Sequence, residues 1–198
     1  KELDNRLVFL RPLGLRLEKM LAGELYQADD PELAALRQRA AQLCHQLGLL
    51  SPSREEARQA LLRTLLGSVG ERCTICPGFR CDYGGNIRLG EGFYANYNCV
   101  ILDCAPVTFG DHVLVGPNCG FYTAGHPLDA DARRAGLEFA RPITVEDDVW
   151  IGGGVTVLPG VRIGRGSVIG AGSVVTHDIP PGMLALGNPC RPIRPVKE

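Results

Sequence analysis

The feature that most constrains this chain is a repeat of six residues in its second half. From Val145 onward the chain divides into the consecutive hexads VEDDVW, IGGGVT, VLPGVR, IGRGSV, IGAGSV and VTHDIP. The first position is always aliphatic and the fifth is small or aliphatic, as in Val149, Val155, Val161, Ser167, Ser173 and Ile179. The same register returns upstream, with a two-residue insertion, in the first-position residues Leu89, Ala95, Ile101, Phe109, Val115 and Phe121. A helix needs apolar residues about every 3.6 positions and an amphipathic strand every two, so neither fits.

A period of six predicts coils of three short strands joined by tight turns. First-position side chains would then fill a narrow triangular core, with glycine at the corners where the backbone must bend sharply. Each coil covers the next, so stability comes from stacking. The 25 glycines and 14 prolines agree with many regular turns. The predicted fold class is therefore β, a parallel β-helix of hexapeptide repeats.

The residues before the repeats have a helical pattern. Asp30 and Pro31 predict the start of one helix, and Ser53 with Glu56 three residues on predicts a capping box at the start of a second. Such a small helical segment cannot hold a core alone, so we expect it to pack against the first coils. The predicted boundaries are an N-terminal helical cap over 1–68, the β-helix over 69–186, and a C-terminal tail over 187–198.

The repeat is interrupted at length only by HPLDADARRAGLEFARPI, which starts at His126. A β-helix tolerates such an insertion as a loop extruded from a corner, predicted over 127–142, and long ordered loops are commonly functional. A neutral imidazole at its root could take a proton from a hydroxyl group near pH 7. The alternative is a histidine that only caps the loop, and position alone does not separate the two.

The eight cysteines are expected to be reduced. The leading residues KELDNRLVFLRPLGLRLEK are too interrupted by charge for a signal peptide, which favours a cytoplasmic protein over an extracellular disulfide framework. Cys81, Cys99 and Cys119 are predicted at the inward fifth position. Cys73 and Cys76 form a CxxC, but no second CxxC follows, which disfavours a metal or redox site.

Charge and hydropathy narrow the possible partners. A net charge of −1 provides no reason to expect nucleic acid or an anionic membrane. No apolar run reaches the roughly 20 residues that a membrane span needs. The four histidines, His45, His112, His126 and His177, lack the spacing of a zinc site, so no metal is expected.

Four stretches of the chain resemble the maltose and galactoside O-acetyltransferases: FRCDYGGNIRLGEGFYANYNCVILDCAPVTFGDHVLVGPN, YTAGHPLD, ITVEDDVWIGGGVTVLPGVRIG and IGAGSVVTHDIPPGMLALGNPCRPIR. The earlier LEKMLAGELYQADDPEL is similar too, so the resemblance runs from Leu17 to Arg194. The segment GLEF and the aspartate of HPLD favour the maltose branch. The resemblance implies a left-handed β-helix, a homotrimer with active sites between subunits, and acetyl-CoA as co-substrate.

The resemblance also implies roles for particular residues. His126 would be the base that deprotonates a sugar hydroxyl, which attacks the thioester directly without an acyl-enzyme. Asn96 would lie close to the reacting hydroxyl, and the backbone N–H of Gly153 would stabilise the oxyanion. The implied acceptor-binding residues are Asp82, Tyr94, Asn96 and Asp103. The implied coenzyme-binding residues are Trp150, Gly153, Ala171, Thr176, His177, Arg191 and Arg194, although the galactoside branch tends to have lysine at position 177.

The leading hypothesis is thus acetyl transfer from acetyl-CoA to a hydroxyl of maltose, glucose or a similar sugar. One alternative is the same chemistry on another acceptor: a galactoside, an oligosaccharide, serine or an antibiotic. Another alternative is a non-catalytic β-helical scaffold.

Overall fold

The computed structural model describes residues 15–197. The leading stretch Lys1–Leu13, with the start of the predicted cap, lies outside the described residues. The N-terminal segment consists of α1 (Leu15–Leu21), β1 (Tyr26–Gln27), α2 (Pro31–Leu49) and α3 (Glu55–Leu65). None of the helices within 15–197 combines the length and apolar character that crossing a bilayer requires.

The two predicted helix starts differ in outcome. The Asp30 side chain accepts the Glu32 N–H at the start of α2, with Pro31 in the first turn, as predicted. The capping box at Ser53 is wrong. Helix α3 begins at Glu55 with Arg54 as its N-cap residue and no side-chain cap bond, and the Ser53 hydroxyl contacts that of Ser51 instead.

Short strands follow α3 to the end of the chain. They are β2 (Ser68–Val69), β3 (Thr74–Ile75), β4 (Arg80–Cys81), β5 (Ile87–Leu89), β6 (Tyr94–Ala95), β7 (Val100–Leu102), β8 (Val107–Phe109), β9 (Leu114–Val115), β10 (Gly120–Tyr122), β11 (Ala124–Gly125), then after α4 (Ala130–Arg134) β12 (Leu137–Ala140), β13 (Ile143–Val145), β14 (Trp150–Ile151), β15 (Thr156–Val157), β16 (Arg162–Ile163), β17 (Val168–Ile169), β18 (Val174–Val175), β19 (Met183–Gly187) and β20 (Cys190–Pro195).

These strands form the three faces of a prism. The first sheet has the order β2-β5-β8-β13-β16, the second β3-β6-β9-β14-β17-β19-β20, and the third β4-β7-β10-β15-β18. The chain visits the first, second and third sheets in turn, and the strands pair in parallel from coil to coil. Among the described strands of these three sheets, only the last pair, β19 with β20, is antiparallel. Strands β11 and β12 belong to a separate small antiparallel sheet with β1. The predicted parallel β-helix of hexapeptide repeats is confirmed.

The side chains at the first and fifth positions of the hexads point into the core of the prism. Every first-position and fifth-position residue from Val145 to Ile179 is buried. The rings of Phe93, Phe109 and Phe121 meet in the same core, with both neighbouring pairs of centroids 4.9 Å apart. Phe93 belongs to one coil and Phe109 to the next, so their contact links successive coils, while Phe109 and Phe121 pack within one coil.

Cys81 is predicted at the fifth position of a hexad, and this is wrong, because it occupies a first position. Cys81 pairs with Ile101, a first-position residue, so the preceding Phe79 occupies the fifth position. The reason is that the two-residue insertion found before Phe109 also occurs one coil earlier, before Leu89. Cys99 and Cys119 are inward as predicted, and each thiol donates to a carbonyl of the next coil.

The two cysteines of the CxxC have separate environments. The Cys73 thiol donates to the Gly90 carbonyl, whereas Cys76 contacts the Tyr94 hydroxyl. All eight cysteines are free thiols. The cap adds one more thiol contact, because Cys44 on α2 lies with its sulfur 3.7 Å from that of Cys81.

A buried arginine fixes the cap to the first coil. Arg58 on α3 is only 7% exposed and donates to the carbonyls of Leu47, Leu50 and Ile75. The first two acceptors belong to the end of α2 and the third to β3. Buried carbonyls need such partners, so the guanidinium locks both helices against the open end of the prism.

The extruded segment 127–142 is an ordered hairpin. After β11 the chain forms α4, with Asp129 as its N-cap residue, and returns along β12. The other edge of β12 pairs with β1 from the N-terminal segment. The hairpin therefore connects the helical cap to the middle of the β-helix.

Candidate active site

Turns that follow the third sheet stack along one edge of the prism, which we call the third corner. Asp82 follows β4, Asp103 follows β7, and Thr176 with His177 follows β18. His126 reaches the same edge because β10 leads directly into β11. Carboxyl ends of parallel strands meet at one edge, so the topology groups residues that are far apart in sequence.

Turns that follow the second sheet form a separate edge, the second corner. It carries Asn96 after β6, Gly153 after β14 and Ala171 after β17. Tyr94 and Trp150 lie on the outward face of the second sheet beside it, and Trp150 is 56% exposed. This corner presents small residues and an amide next to a flat aromatic surface.

His126 faces a carboxylate that sequence reasoning missed. Its side chain is 59% exposed, and Nε2 lies 3.8 Å from Oε1 of Glu138 on β12. The other oxygen of Glu138 accepts a 2.9 Å hydrogen bond from the buried Tyr26 hydroxyl. A carboxylate in this position favours the imidazolium that forms when the ring takes a proton. The signal was present in GLEF, at a hairpin position that returns toward His126.

Asp82 lies in a half-buried polar cluster at the third corner. Its carboxylate accepts from the Cys104 thiol at 3.4 Å. Burial raises the pKa of Asp82, although the nearby Arg37 guanidinium opposes this shift. Arg37 itself donates to the Tyr83 hydroxyl and to the Ala28 carbonyl. A partly desolvated carboxylate can accept hydrogen bonds from the hydroxyls of a sugar.

Asp103 has a different role from the one the resemblance implies. It is fully buried, and its carboxylate accepts the backbone N–H groups of Asp82, Tyr83 and Asn86. With both oxygens engaged, the side chain stabilises the turn that presents Asp82. We therefore assign Asp103 to support of the site and keep Asp82 as the carboxylate for the acceptor.

Asn96 presents one free polar group at the second corner. Its side-chain oxygen accepts the Tyr97 N–H at 2.8 Å. Its amide nitrogen has no hydrogen-bond acceptor among the described residues, and so can donate to a ligand.

The backbone N–H of Gly153 is also available. The amides of the flanking Gly152 and Gly154 donate to Ile169 and Pro117, while none of the described residues accepts from Gly153. The coils approach closely here, since a Cβ on Gly116 would lie 2.5 Å from the Gly153 nitrogen. An amide without an acceptor among the described residues can stabilise an oxyanion.

The remaining coenzyme residues lie near the C-terminal end of the prism. Arg191 and Arg194 are exposed on β20, and within the described part of the chain their side chains donate only to the carbonyls of Cys190 and Pro195. Thr176 and His177 bond to each other at the third corner, at 2.8 Å. Exposed guanidinium groups suit the phosphates of a nucleotide. Within 15–197 no group of three or more His, Cys, Asp or Glu residues could hold a metal ion.

Within one chain these residues lie on two different corners of the prism. The second and third corners are successive corners of the prism, six residues apart along the chain. At about 3.3 Å per residue that separation is up to roughly 20 Å. Asn96 and Gly153 therefore lie across one face of the prism from His126 and Asp82.

The structure is a hexapeptide-repeat β-helix with a histidine–carboxylate pair at one corner and an available glycine amide at another. This combination is typical of an acyltransferase. Comparisons with known proteins agree with this class. Residues 19–70 match the maltose acetyltransferase hexapeptide capping motif, and residues 142–177 match six repeats of the bacterial transferase hexapeptide. The chain belongs to the maltose and galactoside O-acetyltransferase family.

Relatives match nearly the whole chain. The galactoside O-acetyltransferase of Escherichia coli is 41% identical, covering 91% of this chain and 89% of its own. A crystal structure of a maltose O-acetyltransferase from Clostridium difficile has a TM-score of 0.91 at 46% identity, covering 92% of this chain and 98% of that one. A galactoside acetyltransferase in complex with coenzyme A has a TM-score of 0.89 at 41% identity, covering 92% and 91%. The resemblance and the left-handed fold it implies are confirmed.

Proposed function

We propose that the chain transfers the acetyl group of acetyl-CoA to a hydroxyl of maltose, glucose or a similar sugar. Family membership makes it an acetyl-CoA-dependent sugar O-acetyltransferase. The observation that carries the proposed chemistry is the exposed imidazole of His126 facing the Glu138 carboxylate, on the same corner as Asp82.

The proposed reaction is a direct attack. His126 takes the proton of the acceptor hydroxyl as its oxygen bonds to the acetyl carbon, and Glu138 stabilises the resulting imidazolium. The carbon–sulfur bond then breaks, and the proton passes to the departing thiolate of coenzyme A. The Gly153 N–H stabilises the negative charge that develops on the thioester oxygen.

Each substrate would be bound by residues from both corners. Asp82, with Tyr94 and Asn96, would accept from and donate to the sugar hydroxyls. The coenzyme arm would lie along the small residues Gly153 and Ala171, beside Trp150 and Thr176. Arg191 and Arg194 would bind its phosphates. His177 stands where the galactoside branch tends to have lysine, so it would contact the coenzyme through an imidazole ring in place of a lysine side chain.

The separation of the corners supports a homotrimer. A site that needs both Asn96 and His126 is complete only where the second corner of one chain meets the third corner of another. A closed ring of three identical chains creates three such contacts. The active sites would then lie between subunits, and the groove between two corners would hold the coenzyme.

This arrangement predicts complementation between inactive variants. Coexpression of Asn96→Ala and His126→Ala chains should form mixed trimers in which about one third of the sites pair two intact corners. Differently tagged chains can be co-purified and the rate of coenzyme A release compared with that of each variant alone. We expect recovery to roughly one third of the wild-type rate.

Asp82→Asn provides the matched control. Asp82 and His126 share the third corner, so mixing these two variants restores no site. If mixed trimers of Asn96→Ala and His126→Ala chains release coenzyme A no faster than each variant alone, a site shared between two chains is contradicted.

The acceptor is tested with the purified full chain and acetyl-CoA. Glucose, maltose, a β-galactoside, serine and an aminoglycoside are each added while free coenzyme A is measured. Release above the acceptor-free rate is expected with glucose or maltose. A clear preference for another acceptor would reassign the substrate. Failure to bind coenzyme A in a titration would favour the non-catalytic scaffold instead.

A further inference from the structure

The N-terminal segment contributes a residue to the surroundings of His126. Strand β1 pairs antiparallel with β12, and the register places Tyr26 directly opposite Glu138. Tyr26 is fully buried, together with Met20 and Leu33 from the neighbouring helices. A segment remote from the β-helix in sequence thus contacts the carboxylate that faces the base.

Glu138 uses its two oxygens for different partners. Oε2 accepts the Tyr26 hydroxyl at 2.9 Å, while Oε1 faces His126 Nε2 at 3.8 Å. Burial raises the pKa of Tyr26 above its ordinary value, so the phenol stays protonated and donates. The hydroxyl therefore restrains the plane of the carboxylate and the direction in which the free oxygen points.

Such a restraint matters because the pair is partly open to solvent. His126 is 59% exposed, and a glutamate side chain has several rotamers to lose when it is held in place. An exposed ion pair between two mobile side chains contributes little. A donor within hydrogen-bond distance orders the glutamate before substrate arrives, which makes the charge preorganised for the imidazolium.

We propose that Tyr26 is a positioning residue for the acetyl transfer, acting through Glu138 on His126. The inference rests on the proposed function. Tyr26 exchanges no proton in the reaction: the proton moves from the acceptor hydroxyl to His126 and then to the coenzyme A thiolate. The N-terminal cap thereby serves the active site as well as covering the first coils.

The first test is Tyr26→Phe, which keeps the buried ring and removes only the hydroxyl. We expect kcat to fall about tenfold, the size of effect of one hydrogen bond to a charged group, with the KM for acetyl-CoA unchanged. Tyr83→Phe is the matched control. Its ring lies in the same buried cluster, but its hydroxyl contacts Arg37 and not Glu138. A fall in Tm without a fall in kcat would make Tyr26 purely structural.

A double-mutant cycle connects the effect to Glu138. If Tyr26 acts through this carboxylate, adding Tyr26→Phe to Glu138→Gln should lower kcat by no more than about twofold further. A further tenfold loss in the Glu138→Gln background would overturn the proposed route.

A spectroscopic readout does not depend on the acceptor. The NMR signal of the His126 ring, identified by its loss in His126→Ala, should shift in Tyr26→Phe and keep its position in Tyr83→Phe. A moved signal in a protein that acetylates no sugar would reject the proposed function and retain the positioning role. Normal sugar acetylation with an unmoved signal and unchanged kcat would reject the positioning role alone.

Discussion

Replacement of His126 by alanine is expected to lower kcat for acetyl transfer by about 10²–10⁴-fold, the usual contribution of a general base. The fold should survive, because the side chain is exposed and its 3.8 Å approach to Glu138 contributes little to stability. Purified variant and wild type would be compared by the rate of coenzyme A release at saturating sugar and acetyl-CoA. The KM for acetyl-CoA should change little, since its proposed contacts lie elsewhere.

His45→Ala is the control for this experiment. His45 is exposed on α2, away from both corners, and should be as active as wild type. A His126→Ala enzyme that turns over within about tenfold of wild type would exclude His126 as the base. Glu138 would then lose its proposed catalytic function as well.

Replacement of Phe109 by alanine is expected to cost about 3–5 kcal/mol in the free energy of unfolding. The ring is 2% exposed and contacts Phe93 on one side and Phe121 on the other. Its loss leaves a cavity between two coils that cannot close, because each strand is fixed by its neighbours. For a chain of this size the expected fall in Tm is roughly 10 °C.

Leu49→Ala is the matched control, since it also truncates a large apolar side chain but at a position that is 73% exposed. Its Tm should lie within a few degrees of wild type, on the order of 0.5 kcal/mol. Both variants must be compared at equal chain concentration, because assembly contributes to the apparent stability. Equal Tm values for Phe109→Ala and wild type would contradict the role of the aromatic contact between coils.

The cap and the first coils show which features depend on neighbouring residues in the chain and which depend on tertiary contacts. Asp30 caps its helix as predicted because N-cap bonds depend on neighbouring residues. Ser53 does not, because the position of α3 is set by Arg58, whose guanidinium reaches carbonyls of α2 and β3. The misplaced Cys81 has a similar origin: an insertion shifts the register of one coil, and only pairing with the next coil reveals it.

Some residues of the candidate site could likewise be located from the sequence, whereas others depend on tertiary contacts. His126 could be located from sequence because it stands where the repeat stops, and its role followed from the family resemblance. GLEF carried a signal for Glu138, but its contact with Tyr26 could not be found, since it depends on β1 and β12 meeting across 112 residues. Asp103 looks like an acceptor ligand in sequence, but its burial among backbone amides assigns it to the turn.

The sequence by itself determined the period of six, the β-helix, and the position of the extruded loop that follows His126. Repeats carry that information because each hexad has the same requirement, an aliphatic side chain inside and a turn at the corner. Only the tertiary structure decided what faces the base. Stacking and strand pairing place His126, Glu138 and Tyr26 together, and put Asn96 and Gly153 on another corner. Those contacts join residues far apart in the chain, and no local pattern records them.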